Sequence, residues 1–142
     1  FPVGRLDIDT TGLLLTTNDG ALAHRLLSPK HHVDKVYRAT VTGPVFESDI
    51  RAFAEGLRID DGLTARPAGL RLLEGRQNSA EAVSFVEVTI REGKFHQVKR
   101  MFGHFQNKVI GLHRLSMGAI QLDPELLPGQ YRPLSPAEIA SC

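Results

Sequence analysis

Near its start the chain crowds two carboxylates, an arginine and two threonines between glycines, in Gly4-Arg5-Leu6-Asp7-Ile8-Asp9-Thr10-Thr11-Gly12. The apolar run Leu13-Leu14-Leu15 follows at once and reads as a buried strand. Polar groups so dense beside a core element cost free energy unless they are paired or used. The stretch therefore reads in one of two ways. It is a turn, in which Asp and Thr bond their own backbone and Gly takes unusual dihedrals, or it is a functional loop held on a rigid scaffold.

The remainder of the chain sets the frame for that loop. At 142 residues with 42% apolar content, residues 1–142 read as one domain able to bury a core. No apolar run reaches the roughly 18 residues of a membrane-spanning helix, and no membrane partner is expected. No basic start leads into an apolar stretch with a small-residue cleavage site. The lone cysteine, Cys142, is the last residue, which fits a reducing cytoplasm. A net charge of +1 hides a segregation: residues 24–38 and 91–114 carry +8, and the rest carries −7. A basic footprint of that kind is what phosphate binding needs, and Lys30, Lys35 and Arg100 are its candidate contacts.

Periodicity orders the elements. Leu13 to Thr17 reads as a short strand. Asn18-Asp19-Gly20 then caps a helix over Ala21–Leu27 that Ser28-Pro29 closes, with Leu22, Leu26 and Leu27 as its buried side. Lys30-His31-His32 is a basic loop whose imidazoles are expected to face solvent or RNA rather than a metal, because zinc needs further ligands at suitable spacing. Asp34 to Thr42 alternates in period two and puts Lys35, Tyr37, Ala39 and Val41 on one face. Phe46, Ile50, Phe53, Ala54 and Leu57 recur at helical spacing up to Gly56. Residues 57–73 hold two short strands around Asp60-Asp61-Gly62, Glu74 to Ser79 is a loop, and Ala82 to Arg91 is a long strand. Val109–Leu115 and Ala119–Leu122 read as closing strands around Met117-Gly118. Ser135-Pro136-Ala137-Glu138 is a capping box that opens a terminal helix.

The run Glu92-Gly93-Lys94-Phe95-His96-Gln97-Val98-Lys99-Arg100-Met101-Phe102 is a glycine turn entering a helix. Phe95, Val98, Met101, Phe102 and Phe105 form its apolar stripe. His96, Lys99 and Arg100 gather on an adjoining arc with Lys99 at the stripe's edge. A lysine there can reach into a cleft while its methylenes pack on the core. With more strands than helices and no βαβ rhythm, the fold class is α+β: a largely antiparallel mixed sheet, flanking helices and a cleft across it.

Four segments together resemble the RNA pseudouridine synthases: GRLDIDTTGLLLTTNDG, the Lys35-x-Tyr37 strand, Gly93-Lys94-x-His96-Gln97-x-Lys99, and Leu112-His-Arg-Leu-Ser-Met-Gly118. The likeness is greatest to the RsuA-type branch, which acts on small-subunit ribosomal RNA. The resemblance implies isomerisation of one uridine to pseudouridine without cofactor or metal, with Asp7 as the catalytic residue. It further implies that Lys99 pairs with Asp7 and keeps it ionised, that Tyr37 stacks on the base, and that Leu112 packs beneath it. Many relatives carry arginine where Lys99 stands, and lysine suits this branch. Arg5 is then the candidate to fill the space a flipped uridine leaves, or to grip phosphates. Ribosomal RNA, within a pre-ribosomal particle, is the expected partner of a monomer. In the family a small RNA-binding domain and the first sheet strands precede the aspartate motif, so the expected organisation is an N-terminally incomplete catalytic domain. Two rivals stay open: a hydrolytic glycosidase using Asp7 and Asp9 as a carboxylate pair, and a non-catalytic RNA-binding module. Within the family, large-subunit RNA and transfer RNA are alternative targets.

Overall fold

The structure is a computed structural model that describes residues 1–31, 33–59, 62–75, 83–94 and 96–142. In chain order it runs β1 (Thr11–Gly12), α1 (Gly20–Leu27), a 3-10 turn (Pro29–His31), β2 (Lys35–Thr42), α2 (Glu47–Glu55), β3 (Leu57–Arg58) and β4 (Thr64–Ala65). It continues with β5 (Gly69–Gly75), β6 (Val83–Ile90), α3 (Gln97–His104), β7 (Val109–Met117), β8 (Ile120–Gln121) and α4 (Pro136–Ser141). The expected turn at Asp60-Asp61, the histidine at 32, the stripe residue Phe95, residues 76–79 of the expected Glu74–Ser79 loop and the strand start at Ala82 lie outside the described residues. Glu74 and Gly75 belong to β5 rather than to a loop.

β2 is the centre of the sheet. Its alternation becomes a ladder with β6 on one side and β7 on the other, both antiparallel, in the order β1-β7-β2-β6-β5. β8 folds back antiparallel on the end of β7, and β1 joins β7 in parallel, so the sheet is mixed but largely antiparallel, as expected. β3 and β4 form a separate hairpin.

One face of β2 and β6 is apolar and closed by α2 and α3. Ala39, Val41, Val86, Val88 and Ile90 pack there against Phe53, Val98, Met101 and Phe102. The rings of Phe53 and Phe102 meet at a centroid distance of 5.1 Å, which joins the two helices over the sheet. The side chains that alternate with these, Arg38, Glu87 and Thr89 among them, leave the other face partly or fully exposed. A second apolar cluster, Val3, Leu13, Leu15, Ala23, Leu26, Met117 and Ile120, seats α1 and the aspartate stretch against the far end of β7.

Local chemistry accounts for the helix ends. Asp19 accepts from the Leu22 N–H at the start of α1, and the Ser135–Glu138 capping box opens α4 with both of its bonds made. Arg132 donates two bonds to Glu138 and one to Asp123, and this holds the Glu138 carboxyl down at about 2.

Three expectations need correction. Leu13 to Thr17 does not form a continuous strand: the β1 ladder is Thr11–Gly12, the Leu13 carbonyl then accepts from the Arg114 Nε, and the segment beyond it makes a single antiparallel bridge, Thr16 with Pro2. Leu13 and Leu15 still alternate inward, and Leu15 accepts from the Val3 N–H. On α2, Phe46 and Ala54 are exposed; Phe46 stands at the cap, where its N–H donates to Asp49, and the buried stripe is Ile50, Phe53 and Leu57. Leu27 is exposed, and Ala23 takes its place on the buried side of α1.

Gly12 holds the parallel β1–β7 step together. Its φ is +105°, and a Cβ there would stand 2.2 Å from the Arg114 carbonyl oxygen. A side chain at this point must both strain the backbone and push β1 off β7. We expect Gly12→Ala to lower stability by about 2 kcal/mol or more, read from chemical denaturation. Gly103→Ala, in α3 with open space around it, is the control and should leave stability unchanged or slightly raised.

Candidate active site

The aspartate stretch is a tight turn docked on the sheet. The Thr10 N–H donates to the Asp7 carbonyl at 2.9 Å, placing Ile8 and Asp9 at the tip, with Ile8 wholly exposed. Gly12 is the register partner of Arg114 on β7, and Arg114 is in turn the partner of Tyr37 on β2. One strand position therefore sets the distance between the aspartate turn and the tyrosine.

The second wall comes from α3 and the residues before it. His96 stands at the head of α3 with φ +49°, in the left-handed region that non-glycine residues seldom occupy, which is typical of positions held by their surroundings. Its Nε2 is 3.5 Å from one oxygen of Asp7. Lys99, one turn further on, brings its Nζ to 3.8 Å from the other oxygen of Asp7 and to 2.7 Å from Asp9. The expected Lys99–Asp7 contact is thus within ion-pair reach, but the direct hydrogen bond goes to Asp9. A compact ammonium can straddle two carboxylates on one turn where a planar guanidinium would favour a single bidentate partner. That bond from Lys99 holds the Asp9 carboxyl below the usual carboxylate range.

Between these walls lies a cleft of about 650 Å³. Arg5, Asp7 and Thr10 line one side, His96 and Gln97 the other, and Lys35, Tyr37 and Leu112 come from the sheet. Tyr37 and Leu112 are buried, so the cleft has an apolar patch at its base. Glu92 is a buried carboxylate there: its Oε1 accepts from the Arg66 backbone N–H at 2.8 Å and from the Gln97 Nε2 at 3.0 Å. Gln97 in turn accepts from the Lys94 N–H, which locks the glycine turn to the helix start.

The basic residues do not form one surface arc. Lys35 is only 6% exposed and sits at the cleft floor, and Arg114 is buried beneath the aspartate turn. Arg91 pairs with Asp34 at 2.7 Å, and Arg38 points from the exposed face of the sheet. Lys30 is exposed on the 3-10 turn, and Arg100 is half-buried on α3; neither lines the cleft. Alternation along β2 already put Lys35 on the inward face with Tyr37; the charge count misplaced it, because charge windows carry no information on burial.

The structure places Asp7, Tyr37, Arg5 and Leu112 at one cleft, with Lys99 at the turn, and adds Lys35, which the sequence analysis had counted among phosphate contacts. Sequence reasoning did not single out His96, Glu92, Gln97 and Thr10 as residues of the cleft. Two signals pointed to them: His96 shares the helical arc of Lys99, and Glu92 is the only acid in its basic window.

Comparison with known proteins identifies the family. The sequence signature of the RNA pseudouridylate synthases matches residues 1–104. The ribosomal small subunit pseudouridine synthase A of Salmonella typhimurium is 48% identical over 140 residues, which are 97% of this chain and 57% of that protein. The protein of the same name from Escherichia coli K12 is 47% identical over 140 residues, again covering 97% of this chain and 57% of its own length. A solved structure described as a crystal structure of pseudouridylate synthase superposes with a TM-score of 0.89 at 45% identity, covering 99% of this chain and 58% of that one. The chain spans a little over half the length of these relatives. On the match over residues 1–104 and identity near one half along almost all of its length, the chain belongs to the RNA pseudouridylate synthase family.

Proposed function

We propose that the protein converts a uridine of small-subunit ribosomal RNA to pseudouridine, with Asp7 as the catalytic carboxylate. The observation that carries this reading is the placement of Asp7. It lines a cleft based on Tyr37 and Leu112, with its two oxygens turned to His96 and Lys99. The names of relatives nearly half identical to this chain support the class of RNA.

The geometry suggests how the chain acts. A uridine inside folded RNA must be flipped out, at a few kcal/mol of unstacking, and Arg5 at the cleft edge is placed to fill the gap or hold the backbone. The uracil stacks on Tyr37 with Leu112 beneath it. Asp7 then faces the ribose, where its charge opposes the deficiency that develops at C1′ as the bond to N1 breaks. The ring turns within the cleft and C5 bonds to C1′, and the buried base of the site keeps water from trapping the sugar. Lys30 and Arg100, outside the cleft, are the candidates for phosphates further along the RNA. The setting we propose is a pre-ribosomal particle in the cytoplasm, with the protein acting as a monomer.

A hydrolytic glycosidase would need one carboxyl protonated as a general acid. Asp9, the available partner for Asp7, is held ionised by Lys99, which disfavours that reading.

The test is pseudouridine mapping of ribosomal RNA from cells lacking the gene, with complementation. Loss of one small-subunit site is expected; loss from large-subunit or transfer RNA instead would redirect the target. In the protein expressed from its complete gene, Asp7→Asn should lower turnover by at least about 10³-fold with RNA affinity nearly unchanged, whereas Asp9→Asn should cost about tenfold or less. RNA binding by the unaltered protein with no isomerisation would leave a binding module. Lys99→Met should lower turnover by about 10²-fold, and Lys99→Arg should recover part of it, since charge survives with altered geometry. Equal activity of Lys99→Met and the parent would remove Lys99 from the site.

A further inference from the structure

The most buried cation lining the cleft, Lys35, is nine-tenths buried as a residue, and among the described residues no hydrogen bond or ion pair is made to its ammonium; Glu92 attracts it only at longer range. The nearby buried carboxylate, Glu92, is engaged elsewhere: by the Arg66 N–H and Gln97 on one oxygen, and by the Arg66 and Lys94 side chains at 3.8 and 3.6 Å from the other. Arg114 adds a like charge from behind. A largely buried ammonium without a close counter-charge weakens a fold, and here only the longer-range attraction of Glu92 offsets that cost. The fold alone gives little reason for a lysine here.

The surroundings point to a ligand. Lys35 precedes Tyr37 by two residues on the same face of β2, about 6.6 Å along the strand, so a ring stacked on the tyrosine presents its edge to the ammonium. The Lys35 Nζ reaches the glycine turn, 3.4 Å from where a Cβ on Gly93 would stand. Phosphates of a flipped nucleotide remain at the rim, where Arg5, Arg66 and Lys94 are exposed. The floor is left to the base.

Resting on the isomerase reading above, we propose that Lys35 stabilises the uracil as it leaves the ribose, by donating to a carbonyl oxygen of the base stacked on Tyr37. When the C1′–N1 bond breaks, its electron pair leaves with N1. The negative charge spreads over N1, O2 and O4, while C1′ becomes electron-poor opposite Asp7. After the ring turns, C5 supplies the pair that bonds C1′ and gives up its proton, and N1 ends with one, so neither protons nor electrons are consumed. Lys35 remains protonated throughout as the counter-charge. Burial, with Arg114 next, lowers its pKa from the ordinary lysine value and so makes it a stronger donor to a developing oxyanion.

The test uses the protein from its complete gene, carrying Lys35→Met and, as a second neutral variant, Lys35→Gln. Each is assayed under single turnover on RNA holding uridine at the target and on the same RNA holding 5-fluorouridine, whose base is the more acidic and whose anion needs less help. On uridine RNA the rate constant should fall by about 10²-fold while the Kd for RNA stays within about threefold. The thermal midpoint should stay level or rise. Loss in bond cleavage on 5-fluorouridine RNA should be at least about fivefold smaller. Equal losses on both RNAs, or a lowered midpoint in both variants, would make Lys35 structural. A Kd weakened about tenfold with the rate retained would make it a phosphate contact. A parent protein that isomerises no uridine would overturn the function and this inference together; an active parent with an unimpaired variant overturns the inference alone.

Discussion

Arg114 is the residue on which both halves of the site depend. Its backbone pairs with Gly12 on one side and with Tyr37 on the other, its carbonyl accepts from the Leu13 N–H, and its Nε donates to the Leu13 carbonyl. A side chain has taken over a bond that a neighbouring strand would otherwise make, and the chain is so pinned to β7 at Leu13, just past the end of the aspartate stretch. A guanidinium fits that position because it keeps its charge when buried and presents rigid, directed donors. Its remaining Nη2 has no partner among the described residues, an uncompensated group that the apolar packing on either side must offset.

Charge in this protein is sorted by depth as well as by sequence window. Arg114 and Lys35 are interior, Lys99 is tied to the aspartate turn, and Arg91 is tied to Asp34 at the surface. What a charge count reads as one phosphate-binding footprint therefore mixes exposed residues with a few that belong to the cleft and its support. The two arrangements behave differently. Exposed lysines act through screened, long-range attraction that fades with salt, whereas buried ones act at short range and at a cost in stability.

How much of this was legible follows from what each pattern measures. Period-two alternation measures burial on a strand, and it placed β2 and its inward residues correctly. Helical spacing found the buried side of α3, and the Ser135–Glu138 box found α4, because caps are local chemistry. Leu13 to Thr17 misled because an apolar run says only that side chains are inward; whether the backbone finds a ladder depends on a partner a hundred residues away. The Lys99–Asp7 contact was half legible. The helical wheel brought Lys99 to the edge of the stripe, but the choice between Asp7 and Asp9 rests on the shape of a turn two residues wide. His96 lay hidden in plain view because its role comes from a left-handed backbone angle that no periodicity encodes.

The unsatisfied groups of the interior form the last connection. Thr10 Oγ1 and Arg114 Nη2 are buried without a hydrogen-bond partner among the described residues, and the Lys35 ammonium faces the cleft without one; they lie on the aspartate turn, on the strand beneath it and on the neighbouring strand that carries Tyr37. Elsewhere buried polar groups are well provided for: Ser84 donates to Gly43, Asn107 donates to Thr42 and Pro44, and Asp49 caps its own helix. A sequence that satisfies its buried polar atoms around Asn107 and α2 but not around the cleft has been shaped there by something other than folding. Two of the three, Thr10 and Lys35, line the cleft itself. The apolar packing of Phe53, Phe102, Met101 and the inward face of β2 and β6 is what allows the protein to tolerate them, so the core behind the sheet and the polarity of the cleft in front of it are parts of one balance.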